Sequence, residues 1–203
     1  MSKIIKEAAI LTIITLVAGF CLGYVYQITK DPIEVQNEKA KTEAYQAVFE
    51  DAEEFVQIIA EENTELQKYL MDNDYTQQII NEVMEAKDVN GKTLGYALTV
   101  TDAEGYGGNI TFAMGVRIDG TTNGISILSI SETAGLGMKA DTDDFKNQFK
   151  DKKADKFQYT KTGAASDNEI DALSGATITT NAVTNGVNAG LCAAAYCQEG
   201  GNQ

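Results

Sequence analysis

A chain of 203 residues with 43% apolar residues, 23% charged residues and a single proline has a globular rather than a disordered composition, and its length allows one ordinary domain plus an appendage. A formal net charge of −14 excludes a phosphate-backbone binder, which needs a basic surface, so no nucleic-acid partner is expected. Histidine is absent, which removes Ser-His-Asp and Cys-His catalysis together with the commonest transition-metal ligand, and leaves any chemistry to something the protein holds.

Residues 8–29, AAILTIITLVAGFCLGYVYQIT, carry no charge over 22 positions. At 1.5 Å per residue such a helix spans about 33 Å, enough to cross a bilayer. Lys3 and Lys6 precede it, whereas Lys30 and Lys39 are mixed with Asp31, Glu34 and Glu38 after it, so residues 1–7 are expected in the cytoplasm and the rest of the chain outside. A cleaved signal peptide would have a shorter apolar core ending in small residues; Tyr24, Tyr26 and Gln27 instead resemble an interfacial belt, and the segment is read as a retained anchor.

Residues 30–52 read as an amphipathic connecting helix, with Pro32 in its first turn and Ile33, Ala40, Ala44, Ala47 and Val48 along one stripe. The remainder, 53–203, is taken as one domain. Within it EEFVQIIA (53–60) and IINEVMEAKD (79–88) read as strands, and Asn90-Gly91 as a hairpin turn into KTLGYALTV (92–100). A strand from Ile110 to Ile118, a turn from Asp119 to Gly124 and a strand from Ile125 to Ile130 follow. TDDFKNQF (142–149) reads as a short helix, and the Ala/Val/Leu-rich segment from Asn181 to Gln198 as a closing one. Strands bracketed by helices without regular βαβ alternation predict an α+β fold: a small antiparallel sheet with flanking helices. No internal repeat occurs, and GGNQ at 200–203 is the one low-complexity stretch. Cys21, Cys192 and Cys197 show no metal-ligand spacing, and the last two, five apart on one helix, face different ways; all three read as small apolar side chains, and no metal site is expected.

Three segments exceed what a core or surface needs: GYGGNI (105–110), SETAGLG (131–137) and DALSGATITT (171–180). Glycine clusters admit close backbone approach to a ligand, although the first also suits a tight turn and the second a loop with a helix start behind it. In the third, Thr179, Thr180 or Asn181 suits an N-cap, with Ser174 and Thr177 as turn residues. The same geometry would let a phosphate lie at the helix N-terminus and a threonine hydroxyl accept a phosphoryl group.

Asp171 through Thr177, D-A-L-S-G-A-T, resembles the flavin-attachment motif D-x-x-S/T-G-A-T/S, in which a flavin transferase joins FMN to the last hydroxyl through a phosphoester. GYGGNI and ETAGLG resemble the other two signatures of the same FMN-binding domain, in the same order. Together with one N-terminal anchor, about 200 residues and TKDPI after the anchor, the chain resembles the G subunit of Rnf-type electron-transport complexes. The C subunit of the Na⁺-translocating NADH:quinone reductase has the same plan but is usually longer.

The resemblance implies a membrane-anchored, extracytoplasmic FMN-binding domain whose covalent FMN relays electrons within an ion-translocating ferredoxin:NAD⁺ oxidoreductase, with no independent catalysis. It makes Thr177 the attachment site, and Asp171, Ser174, Gly175 and Ala176 the residues that the transferase reads, the last three also against the flavin. Glu132, Thr133, Gly135, Leu136 and Gly137 would line the flavin, with Leu136 against the ring, and Tyr106, Gly107 and Gly108 would form a neighbouring wall. The implied partners are the A, B, C, D and E subunits of the Rnf complex, the transferase and membrane lipid. Ala134 stands where the family commonly has proline, which leaves that loop less rigid. The contrasting possibilities are a non-redox membrane module, sensor or structural, and the corresponding quinone reductase protein.

Overall fold

The structure, a computed structural model, describes residues 2–60 and 63–201; residues 202 and 203 of the GGNQ tail lie outside the described residues. The chain divides into two compact units, one ending at Ala40 and one starting at Lys41.

Helix α1, Ser2–Val48, is unbroken. Residues 30–48 are therefore a continuation of the apolar helix, not a separate connecting helix, and Pro32 lies inside it instead of in a first turn. Proline removes one backbone donor, a loss that a helix bonded on both sides can absorb. The expected helix to residue 52 stops at Val48. Among the described residues α1 is the one helix long and apolar enough to cross a membrane. Its side chains from Ile10 to Ile28, including Leu16, Phe20 and Leu22, are exposed, which suits lipid rather than water.

The second unit is α+β. Strands β1 (Glu54–Ile59), β2 (Gln78–Lys87), β3 (Thr93–Asp102), β4 (Ile110–Arg117), β5 (Thr121–Ser129) and β6 (Lys152–Lys153) form an antiparallel sheet in chain order. Helix α2 (Thr64–Asp72), short helix α3 (Asp143–Lys146), strands β7 (Gln158–Thr160) and β8 (Glu169–Asp171), which pair in parallel, and helix α4 (Thr177–Gln198) complete it. Asn90-Gly91 lies in the β2–β3 connection, where Asp88 Oδ1 accepts from the Asn90 and Lys92 amides. The turn expected over residues 119–124 contracts to Asp119-Gly120, with Gly120 at φ +83° and Asp119 Oδ1 accepting from Thr121 N–H at 3.0 Å. The strand then begins at Thr121, four residues early, because Thr121 and Thr122 pair with β6. The TDDFKNQF helix is a single α-turn, Asp143–Lys146, followed by a tighter turn, Asn147–Phe149.

Both faces of the sheet are covered, which explains why β3 is buried from Gly95 to Asp102. On one face Leu98, Val100, Phe112 and Met114 pack with Leu66 and Leu70 of α2 and Ala182, Val183 and Val187 of α4. On the other, Ala44, Tyr45, Val48 and Phe49 lie against Ala86, Ala97 and Ala113. Small sheet residues make room here: a Cβ on Gly95 would lie 2.9 Å from the Phe49 ring, and one on Gly115 2.8 Å from the Val48 carbonyl. The cysteines differ from one another. Cys197 is buried, as expected, with its thiol pushed up to about 11 by desolvation; Cys192 is half-buried and Cys21 exposed.

Candidate functional site

Loops at one end of the sheet and the start of α4 enclose a cleft of about 600 Å³. Its walls are Tyr106 from the β3–β4 loop, Glu132, Thr133, Leu136 and Gly137 from the segment after β5, and Gly175, Ala176, Thr177, Ile178 and Thr179 from the α4 start. All three motif segments, whose lining residues lie up to 73 positions apart in the chain (Tyr106 to Thr179), thus contribute to one cavity. Tyr106, Leu136 and Ile178 are exposed (71%, 43% and 53%), so the cleft offers three uncovered apolar surfaces to a ligand.

Buried Glu132 joins two of the loops, accepting from Gly107 N–H through Oε1 at 3.2 Å. Gly107 does not line the cleft; a side chain there would collide with the Ser131 carbonyl, so glycine lets the two loops touch. At Gly137 a Cβ would lie 2.6 Å from both Glu132 Oε2 and Thr179 Oγ1, so a bare backbone fills the point where the second loop meets α4. Gly108 (φ +121°) and Gly135 (φ +77°) are exposed, turn the backbone of their loops and do not line the cleft.

Helix α4 begins at Thr177, four residues before the expected start at Asn181. Its N-cap is Ala176, without a side-chain cap, so none of Thr179, Thr180 and Asn181 serves as the N-cap. Thr180, fully buried, is committed elsewhere: its Oγ1 donates to the Ala176 carbonyl at 2.9 Å and accepts from Leu173 N–H at 3.0 Å. These two bonds close the turn that carries Gly175 (φ +75°), whose missing Cβ would lie 3.1 Å from Leu136 Cδ2. The first-turn amides of α4 thus lack a side-chain cap beside the Thr177 hydroxyl, an arrangement that favours an anion. No lysine or arginine lines the cleft among the described residues, so amides and hydroxyls are the available phosphate ligands.

Ser174 is exposed and outside the cleft. Asp171 is also outside. Its Oδ1 accepts from Ala164 N–H at 2.7 Å and its backbone exchanges bonds with Gln148, so the carboxylate orders the 160s loop. Ile178 and Thr179 are wall residues outside the motif residues singled out from the sequence; a helix begun at Thr177 places them in its first turn, beside Thr177. Ala134, in the proline position, lies exposed in the same loop as Gly135.

Residues 105–191 match the family described as the FMN-binding domain, and residues 1–48 the RnfG N-terminal region. The chain is 32% identical over 187 residues to the G subunit of the Na⁺-translocating ferredoxin:NAD⁺ oxidoreductase complex of Acetobacterium woodii, covering 91% of this chain and 88% of that one. The chain belongs to the G-subunit family of ion-translocating oxidoreductase complexes. Another member, the G subunit of the proton-translocating ferredoxin:NAD⁺ oxidoreductase complex of Clostridium ljungdahlii, is 40% identical over 125 residues, or 57% of this chain and 67% of that one. Among solved structures, the C subunit of the Na⁺-translocating NADH-quinone reductase of Parabacteroides distasonis is similar at 25% identity and a TM-score of 0.47, over 58% of this chain and 61% of that one.

The cleft of this G-subunit family member fits FMN. Its volume lies within the roughly 300–1,000 Å³ of small-molecule sites. It sets exposed apolar side chains for a ring system near an uncapped helix N-terminus for a phosphate.

Proposed function

We propose that this chain is the covalent-FMN electron-carrier subunit of a membrane-bound, ion-translocating ferredoxin:NAD⁺ oxidoreductase, with Thr177 as the attachment site. One observation carries the reading: three separated motifs meet in a single cleft, and the last of them places Thr177 at the uncapped start of α4. Bound FMN supplies the ability to take and give single electrons, which the side chains here lack. The chain's own residues do the rest. The Thr177 hydroxyl is the acceptor for a phosphoester, and the first-turn amides of α4 with the helix dipole hold the phosphate. Tyr106, Leu136 and Ile178 cover the ring and exclude water, and Glu132 keeps the first two loops together through Gly107. Thr133, Gly137 and Thr179 complete the wall. Gly107, Gly108 and Gly135 act outside it by allowing the backbone to turn and approach.

In this reading Ser174, Gly175 and Ala176 are small so that a transferase can reach Thr177, and Asp171, whose Oδ1 also orders the 160s loop, is read by the same transferase. The A, B, C, D and E subunits of the complex are the electron-transfer partners. Residues 8–29 anchor the chain in the membrane, residues 1–7 lie in the cytoplasm, and residues 53–203 stand on the other side. The family assignment favours this over a non-redox module, and G-subunit relatives matched over most of their length favour it over the quinone reductase.

Intact-mass measurement after co-expression with a flavin transferase, followed by peptide mapping of residues 171–186, tests it. The expected result is a gain of FMN minus water on Thr177, absent in Thr177→Ala. An unmodified peptide in the presence of active transferase would refute it. Thr177→Ala should leave the fold intact, since it removes a half-exposed hydroxyl and opens no core.

A further inference from the structure

Behind the Tyr106 wall lies a polar cluster that no step above uses. Glu104, two residues before Tyr106, is half-buried in the β3–β4 loop. Its Oε2 accepts from Gln78 Nε2 of β2 at 2.9 Å and from Asn185 Nδ2 of α4 at 2.7 Å. Gln78, itself 3% exposed, uses its second amide hydrogen on Asp102 Oδ2 at 2.6 Å, and Asp102 Oδ1 accepts from the Glu104 amide at 2.7 Å. Asp102 is fully buried, and no lysine or arginine is paired with either carboxylate among the described residues. Every contact is made by a neutral donor in a fixed direction. Such a network defines position well, because each amide has one acceptor to satisfy and a displaced loop leaves buried donors unmet.

The topology gives the network its consequence. Asn185 sits on the helix that carries Thr177 at its start, eight residues or about two turns away. Glu104 sits on the loop that carries Tyr106 into the cleft and Gly107 onto Glu132. Glu104 therefore links the two walls of the cleft from behind, and Gln78 grounds that link on the sheet.

We infer that Glu104 is a positioning residue for the cleft: through Asn185 and Gln78 it fixes the 103–109 loop, and with it Tyr106 and Gly107, against the helix that bears Thr177. The inference rests on the proposed flavin role of the cleft for its functional meaning, though the loop tie itself does not. Removal of the shared acceptor, with an isosteric control, tests it. Both amides donate to the one oxygen Oε2, so Glu104→Ala removes both bonds and Asn185→Ala removes one, whereas Glu104→Gln can set its amide oxygen in the place of Oε2 and keep both.

The readouts, in detergent-solubilised full chain on a Thr177→Ala background, are non-covalent FMN affinity by flavin fluorescence, amide hydrogen exchange of residues 105–108 without FMN, and Tm. Glu104→Ala and Asn185→Ala should each weaken FMN binding about tenfold or more, the effect of a lost charge-assisted hydrogen bond, and speed exchange at 105–108; Glu104→Gln should stay near the parent values. Alanine variants that lower Tm while leaving affinity and exchange unchanged, or a Glu104→Gln variant that behaves like Glu104→Ala, would overturn the inference. If exchange follows the substitutions but the parent binds no FMN, the loop tie is upheld and the flavin reading of the cleft is what fails.

Discussion

Asp102 offers a pH experiment with a definite sign. The side chain is fully buried at the end of β3, beneath Gly186 of α4. Burial raises its pKa to about 6, and the Glu104 carboxylate adds to the rise; the bonds from Gln78 and the Glu104 amide oppose it without prevailing. Around it stand Gln78 on β2, Ile110 on β4, Asn185 and Gly186 on α4, and Glu104, of which Glu104 alone is an ionisable side chain. In the unfolded chain the group has an ordinary pKa of about 3.9. The folded state thus holds the proton more tightly. Its stabilising effect is fully present below about pH 4, is lost as pH rises from about 4 to 6, and ends as a penalty of about 3 kcal/mol above that window, from 1.36 kcal/mol per unit. Carboxylates held low, such as Glu85 beside Thr93 and Lys87, act in the opposite sense and at lower pH, so the windows separate. Urea midpoints of the full chain in detergent between pH 4 and 8 should fall across the window, and Asp102→Asn should remove that slope. The variant will also be less stable at pH 4, because its amide faces the Gln78 amide. A flat wild-type profile from pH 4 to 6, or an unchanged slope in Asp102→Asn, would refute the reasoning.

Gly137→Ala inserts a methyl group 2.6 Å from Glu132 Oε2 and Thr179 Oγ1; it should cost about 1–3 kcal/mol in chemical denaturation and lower FMN occupancy with it. Thr180→Val keeps the shape but leaves Leu173 N–H without its acceptor, so a loss of about 1–3 kcal/mol is expected, with Thr180→Ser retaining most of the stability. Arg117 makes a forked pair with Asp51, donates to Asn123 Oδ1 at 2.8 Å and lies 5.6 Å from the Phe49 ring centre; Arg117→Lys cannot reproduce all three and should lower Tm by a few degrees, about 1 kcal/mol.

Long, locally patterned elements were legible in the sequence and short or non-local ones were not. The strands β2 to β4 alternate or run apolar over eight to ten residues, and the Asn-Gly turn marks their first hairpin. Asn123-Gly124 looked like part of a turn because glycine with φ > 0 serves bulges as well as turns; here Gly124 (φ +117°) lies inside β5, where the register with β4 slips near Gly115. Helix α2 escaped notice because only Leu66 and Leu70 mark its buried face, although Asn63, whose Oδ1 accepts from Leu66 N–H, is the N-cap that could have revealed it. The three-residue strands β7 and β8 pair in parallel across an eight-residue connection, and nothing local predicts that.

At the cleft the motifs marked three segments that meet in one cavity but not the arrangement of residues within them. A run of hydroxyls invites one explanation, either a cap or an attachment site, whereas the structure gives its members different tasks. Thr180 closes the turn, Thr179 lines the wall against Gly137, Ser174 faces solvent, and Thr177 stands at the first helical position beside uncapped amides. With its hydroxyl spent on Leu173 and Ala176, Thr180 does not cap α4, which begins at Thr177; Thr177 and Thr179 are the hydroxyls of the run that line the cleft from the first turn, and Thr177 stands at the first helical position. Asp171, outside the cleft, uses Oδ1 to accept from Ala164 N–H, so its carboxylate also orders the 160s loop.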